Sequence, residues 1–165
     1  VTRRLIVMRH AKSDWSRGLS DHARPLNERG RRSADALGTW MRETAHAPDQ
    51  VLCSSAVRTR ETLDRLALPD AAVRFEEALY LAEADGVLRV LRHAKGQCVM
   101  VLGHNPGLQE FAARIVGAPI AHPRAGDYPT GATLVADLDI EDWTDLDWGT
   151  ARTVSFVVPR ELPSV

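Results

Sequence analysis

The sequence predicts an α/β domain in three layers, with helices on both faces of a mostly parallel, mixed sheet. Three observations carry this. Short apolar runs recur at residues 5–8, 51–53 and 98–102, with a further short strand candidate at 73–75. Between them lie stretches with apolar residues at helical spacing. Two further runs, 133–138 and 153–158, read as an antiparallel pair that closes the sheet. Strands alternating with helices argue for a sheet covered on both sides.

The elements follow in order. Leu5 to Met8 is apolar throughout, as in a strand buried on both faces. Residues 21–30 are rich in turn formers, with Pro25, Asn27 and Gly30. Residues 28–45 read as a helix, with Ala34, Leu37, Trp40 and Met41 at helical spacing. Val51-Leu52-Cys53 is a second strand. Ser54 or Ser55 then caps a helix from Ala56 to about Leu66, with Pro69 beyond its end. Residues 73–75 form a third strand, and residues 83–94 a helix with Val87, Val90 and Leu91 apolar. Residues 97–102 form the next strand. Gly103-His104-Asn105-Pro106-Gly107 opens a helix to about Val116, with Pro106 in its first turn.

Composition bounds the function. The 165 residues are 44% hydrophobic and 26% charged, which fits one domain, residues 1–165, with a real core. The formal charge is −1, unlike a basic nucleic-acid binder or an acidic disordered chain. Arg supplies 19 of the 21 cations, Lys12 and Lys95 the rest. Most of that excess is background, because Ala is also abundant. Residues 1–32 carry nine cations against Asp14, Asp21 and Glu28, a candidate anion site. Residues 125–151 carry seven acids and no Lys or Arg. That segment reads as a solvated hairpin, with a dimer face over residues 137–148 the weaker alternative.

Cys53 and Cys98 sit in apolar runs, as buried free thiols do, and suggest a reducing compartment. No apolar stretch approaches the ~20 residues of a membrane helix. Four apolar residues near the start fall short of the roughly 7–15 of a signal peptide. A cytoplasmic monomer without nucleic-acid or membrane partners is expected.

Chemistry is expected at the carboxyl ends of the strands, where open α/β sheets bind ligands. Arg9 and His10 follow the first strand. Ser54, Ser55 and then Arg58 follow the second, and Gly103 and His104 follow the fourth. If the sheet is parallel there, two Arg and two His converge beside two helix N-termini. Such a pocket suits a phosphate, whose oxygens match guanidinium forks. Neither a metal nor a cofactor is expected: Arg beside each His would repel a cation, and no His-Glu-x-x-His pattern is present.

At these residues the sequence resembles the histidine phosphatase superfamily, with its phosphoglycerate mutase-like fold. Leu5-Ile6-Val7-Met8-Arg9-His10-Ala11 looks like the signature strand followed by Arg-His-Gly. The segment from Ser54 to Thr62 is similar to the motif carrying the second Arg, here Arg58. Gly103-His104-Asn105-Pro106 is similar to the segment carrying the second His. Arg9-His10-Ala11-Lys12-Ser13 and Asp21-His22-Ala23-Arg24-Pro25-Leu26 resemble the short SixA-type phosphohistidine phosphatases. The resemblance implies a phosphohydrolase in which His10 becomes phosphorylated, while Arg9, Arg58 and His104 bind the substrate phosphoryl group. It also shows departures. Ala11 replaces the signature Gly and adds a methyl near the nucleophile. Ser16 stands where mutase-type members have an Asn that touches phosphate. Glu77, with Glu76 beside it, is the best positional match to the family's acid.

Only 45 residues separate Arg58 from His104, which leaves little for an inserted lid. An open site suits phosphohistidine presented on a protein, and an imidazole leaving group needs less acid help than an alkoxide. The alternatives are a small-molecule phosphomonoester phosphatase or mutase of the same superfamily and a non-catalytic phosphohistidine-binding module. A cysteine phosphatase using Cys53 and Arg58 fits poorly. Its loop needs one more residue than the four, Ser54 to Val57, that intervene here.

Overall fold

The computed structural model describes residues 2–163. Strands and helices alternate along most of the chain. They are β1 (Thr2–Arg9), α1 (Glu28–Glu43), β2 (Gln50–Ser54), α2 (Val57–Leu66), β3 (Ala72–Glu76), α3 (Ala84–Leu91), β4 (Cys98–Gly103), α4 (Gly107–Ile115), β5 (Thr133–Asp139) and β6 (Arg152–Val157). No large insertion interrupts them. No helix among the described residues is long and apolar enough to cross a membrane.

The sheet order is β3-β2-β4-β1-β5-β6. The first four strands in that order run parallel, and β5 and β6 join antiparallel. Alternation along β1 builds the layers. Leu5 and Val7 enter one core with Leu88 and Leu91 of α3 and Phe111 and Ile115 of α4. Ile6 and Met8 enter the other with Leu37 and Met41 of α1 and Leu63 and Leu66 of α2. Both faces are therefore dry, which is why β1, β2 and β4 read as continuous apolar runs.

Register sets the site. Met8 and Cys53 both lie opposite Leu102, and Arg9 lies opposite Gly103. The carboxyl ends of three strands are thus level.

Local chemistry differs from expectation in several places. Ala56, not a serine, is the N-cap of α2, and its side chain accepts nothing. The Ser54 hydroxyl meets His104, and the Ser55 hydroxyl donates to Glu77. Pro106 is the N-cap of α4 rather than part of its first turn. Helix α3 stops at Leu91, and Ala94 lies beyond it, still buried. The acidic segment after β5 is not a free hairpin. Trp143 and Leu146 are fully buried, and the Trp143 indole donates to the Gly96 carbonyl at 2.7 Å. Trp148 packs edge-on against Phe111. Trp143 is in the core and half-buried Trp148 packs against it, so the segment is tied to the domain.

Asn27 caps helix α1, its side chain accepting the Gly30 N–H at 2.8 Å. Gly30 also presses on the loop leaving β1, where a Cβ would lie 2.0 Å from the Lys12 carbonyl oxygen. No side chain fits there without moving that loop. Gly30→Ala is therefore expected to cost about 2 kcal/mol or more, as overpacking does. A fall in the urea midpoint checks this, and an unchanged midpoint would contradict the contact.

Candidate active site

The level strand ends bring four of the expected residues together. Arg9, His10, Arg58 and His104 line one cavity of about 370 Å³, with Ser13, Trp15, Asp21, Arg24 and Asn105 among its other walls. His10 and Arg9 leave the end of β1, Arg58 enters with the first turn of α2, and His104 follows β4.

His10 is 5% exposed. Its Nδ1 lies 2.7 Å from the Ala11 carbonyl, which only accepts, so Nδ1 carries the proton. That leaves the Nε2 lone pair free. Burial, followed by the neighbouring His104, Arg9 and Arg58, pulls its pKa down to about 3 despite the bond to Ala11. His10 is therefore a neutral imidazole throughout the physiological range. The His104 ring sits 5.3 Å away, centroid to centroid. Its Nε2 meets the Ser54 hydroxyl at 2.7 Å, and burial first, then Arg58, pulls its pKa to about 3.

The cations are held by backbone and carboxylate. Arg9 donates to the Tyr128 carbonyl at 3.2 Å, an oxygen that also accepts from Asn105 at 2.9 Å. Burial, then Arg58, lowers the Arg9 pKa from its ordinary value. Arg58 is 3% exposed and grips Asp21 twice, at the carbonyl (2.7 Å) and the carboxylate (3.0 Å). Buried polar atoms are normally paired. Arg9 Nε, Arg58 Nε and His104 Nδ1 are buried and have no partner. The two guanidinium Nε atoms are orphan donors, as Arg3 Nε and Arg65 Nε are elsewhere, and the role of His104 Nδ1 depends on the tautomer.

Asp21 is the residue that sequence reasoning passed over. Its carboxylate accepts from Arg58, from Arg24 and from the Tyr80 hydroxyl. Tyr80 first, then Arg58 and Arg24, hold its pKa down at about 2 against desolvation. A lone acid between two arginines in a turn-rich segment was the available signal. Arg24 is buried at 6% and lies under Trp15, 3.4 Å from the ring centroid.

Glu77 does not enter this cavity. Its side chain is 75% exposed and accepts from Ser55 at 2.6 Å, with His22 at 4.0 Å. Glu76 pairs with Arg74 instead. Ser16 is exposed and bonds Asp14 at 2.6 Å, away from the cavity walls. The Ala11 methyl turns into a small cluster with Leu26 and Ala34, so it leaves the site unobstructed. Cys53 is buried and Cys98 half-buried, and burial pushes both thiols up to about 12. Neither is a thiolate nucleophile at neutral pH. Among the described residues, no group of three His, Cys, Asp or Glu side chains is placed to hold a metal.

Comparisons with known proteins agree with this architecture. The family model "Histidine phosphatase superfamily (branch 1)" matches residues 5–85. An uncharacterised Mycobacterium tuberculosis protein is 38% identical over 160 residues, covering 93% of this chain and all of the relative. The structure of a candidate phosphohistidine phosphatase SixA from Nakamurella multipartitia superposes with a TM-score of 0.84. It is 29% identical and covers 96% of this chain and 97% of its own. A Plasmodium falciparum phosphoglycerate mutase shares the fold at a TM-score of 0.65 and 18% identity, over 94% of this chain and 91% of its own. The chain belongs to the histidine phosphatase superfamily, in its SixA-like form of the phosphoglycerate mutase-like fold.

Proposed function

We propose that the protein is a phosphohydrolase that works through a phosphohistidine intermediate on His10 and removes phosphate from phosphohistidine on another protein. The observation that carries this reading is the His10 ring: neutral, tied at Nδ1, and lining a cationic cavity with Nε2 unbound.

Nε2 attacks the phosphorus in line, and the bond from phosphorus to the substrate imidazole breaks; that ring carries a proton on its other nitrogen and leaves as neutral imidazole. Arg9 and Arg58 stabilise the equatorial oxygens as charge spreads. When Ser54 gives its hydroxyl hydrogen to His104 Nε2, the ring N–H sits on Nδ1 and becomes a third donor. Water then attacks the phosphorus, the bond to Nε2 breaks, His10 returns to its neutral ring with the proton on Nδ1, and the protons of the water leave with the phosphate. Asp21 is a positioning residue, because its ionised carboxylate aims Arg58 and Arg24 without touching the reacting atoms. Ionised at neutral pH, it supplies no proton to a leaving group. An imidazole leaving group tolerates that better than an alkoxide. The mouth of the cavity also fits a protein surface: Trp15 and Leu81 stand there 77% and 54% exposed.

Five outcomes are expected. Purified protein releases phosphate from a phosphohistidine protein faster than from sugar phosphates. Efficient cleavage of sugar phosphates with phosphohistidine left untouched would overturn the substrate. Arg58→Ala lowers kcat by roughly 10²–10³, the cost of losing a transition-state donor, whereas Glu77→Gln leaves kcat for phosphohistidine within about two-fold, as remote surface changes do. A large kcat loss in Glu77→Gln would return Glu77 to the role of acid. Finally, an NMR titration keeps His10 neutral below pH 5, while a midpoint near 6.5 would contradict the buried neutral ring. Because the folded-state values of His10 and His104 lie below 6.5, the unfolded chain takes up protons first. Stability is full above about pH 6.5 and declines as pH falls toward 3.

A further inference from the structure

We propose that a cleft beside the active cavity is a second anion subsite and that its occupant is an acidic side chain of the phosphorylated partner protein. The assignment rests on the phosphohistidine-protein reading above. The cleft has a volume of about 220 Å³ and is lined by Lys12, Arg29, Arg124 and Arg160, with Ser33 and Thr130. Lys12 and Thr130 also line the active cavity, so the two spaces adjoin. Lys12 lies two residues past His10. Thr130 precedes Gly131, whose N–H is shared by the carbonyls of Arg9 and His10. The cleft therefore stands on the backbone that carries the nucleophile.

Unpaired cations sharing one concavity set this cleft apart. Elsewhere Arg42 and Arg60 also lack a carboxylate, but Arg4, Arg31, Arg65 and Arg152 each face one. In the cleft only Arg124 does, through Asp127. Among the described residues Lys12, Arg29 and Arg160 have no carboxylate partner, and no acidic side chain lines the walls. Uncompensated like charges in a concave site raise the local potential and draw in anions. Of the nine cations in residues 1–32, Arg9 and Arg24 line the active cavity, Arg29 lines the cleft and Lys12 lines both.

The two sites differ in wetness. Arg58 and Arg24 of the active cavity are 3% and 6% exposed. Lys12, Arg29 and Arg160 are exposed. Hydrated, flexible cations suit carboxylates on a facing protein surface better than a desolvated phosphoryl group. Acidic residues beside the phosphohistidine would then set the register of docking and favour acidic partners over neutral ones.

The test uses the full chain and two peptides carrying a stable phosphonate mimic of phosphohistidine, flanked by Glu in one and Gln in the other. Fluorescence anisotropy at low salt is expected to give about five-fold tighter binding of the Glu peptide, the sum of a few exposed charge pairs. The difference shrinks in high salt. In the double variant Arg29→Glu with Arg160→Glu the preference disappears, while binding of the Gln peptide and turnover of phosphoramidate stay near wild type. Equal binding of both peptides by wild type would overturn the assignment, as would a preference that survives in the double variant. Equal peptide binding together with tighter wild-type binding of a small bisphosphate would make the cleft a second phosphate site instead. These readouts do not depend on phosphate release. Failure to dephosphorylate phosphohistidine would count against the proposed reaction and leave the peptide ratio to be judged separately.

Discussion

Parallel pairing in level register holds the carboxyl ends of β1, β4 and β2 side by side, and the site is a consequence of that pairing. Leu102 faces both Met8 and Cys53, so the residues that follow each strand emerge at one height. A slip of one residue would turn every side chain of a strand to the opposite face. Dry cores on both faces forbid the slip. The apolar alternation of β1 therefore does two things at once: it fills two cores and fixes where Arg9 and His10 appear.

Concentrating arginines and histidines at that edge has an electrostatic cost, and the fold offsets it in three ways. Burial keeps both histidines neutral, so neither adds charge. Asp21 places one ionised carboxylate between Arg24 and Arg58. The Tyr128 and Ala11 carbonyls hold Arg9 and His10 through the backbone. What remains is a net positive cavity with donors unspent, the condition for taking a phosphoryl group. The same neutrality that lowers the cost makes His10 nucleophilic, so stability and chemistry here depend on one property.

The order of strands and helices was legible in the sequence because both faces of the sheet are buried, and continuous apolar runs announce that. Arg9, His10, Arg58 and His104 were legible because strand ends in a parallel sheet converge. Asp21 was not, because its segment has no periodicity and its role arises from tertiary approach to Arg58 and Tyr80. The buried place of Trp143 was hidden by its acidic neighbours, Glu141, Asp142 and Asp145. Glu77 matched the family pattern by position alone, and position could not show that its carboxylate is exposed and accepts from Ser55. The pairing of Lys12 with Arg29 and Arg160 joins the loop after β1, helix α1 and the C-terminal end of the described chain, a convergence that no local spacing encodes.

The central claim is that the neutral Nε2 of His10 carries the phosphoryl group between substrate and water. Rapid quenching with ³²P-labelled phosphohistidine protein, followed by NMR assignment of the phosphorylated nitrogen, tests it directly. Acid-labile, base-stable label should appear on Nε2 of His10 and be absent from a folded His10→Ala variant. Label on Nδ1, or label that persists in His10→Ala, would contradict the account.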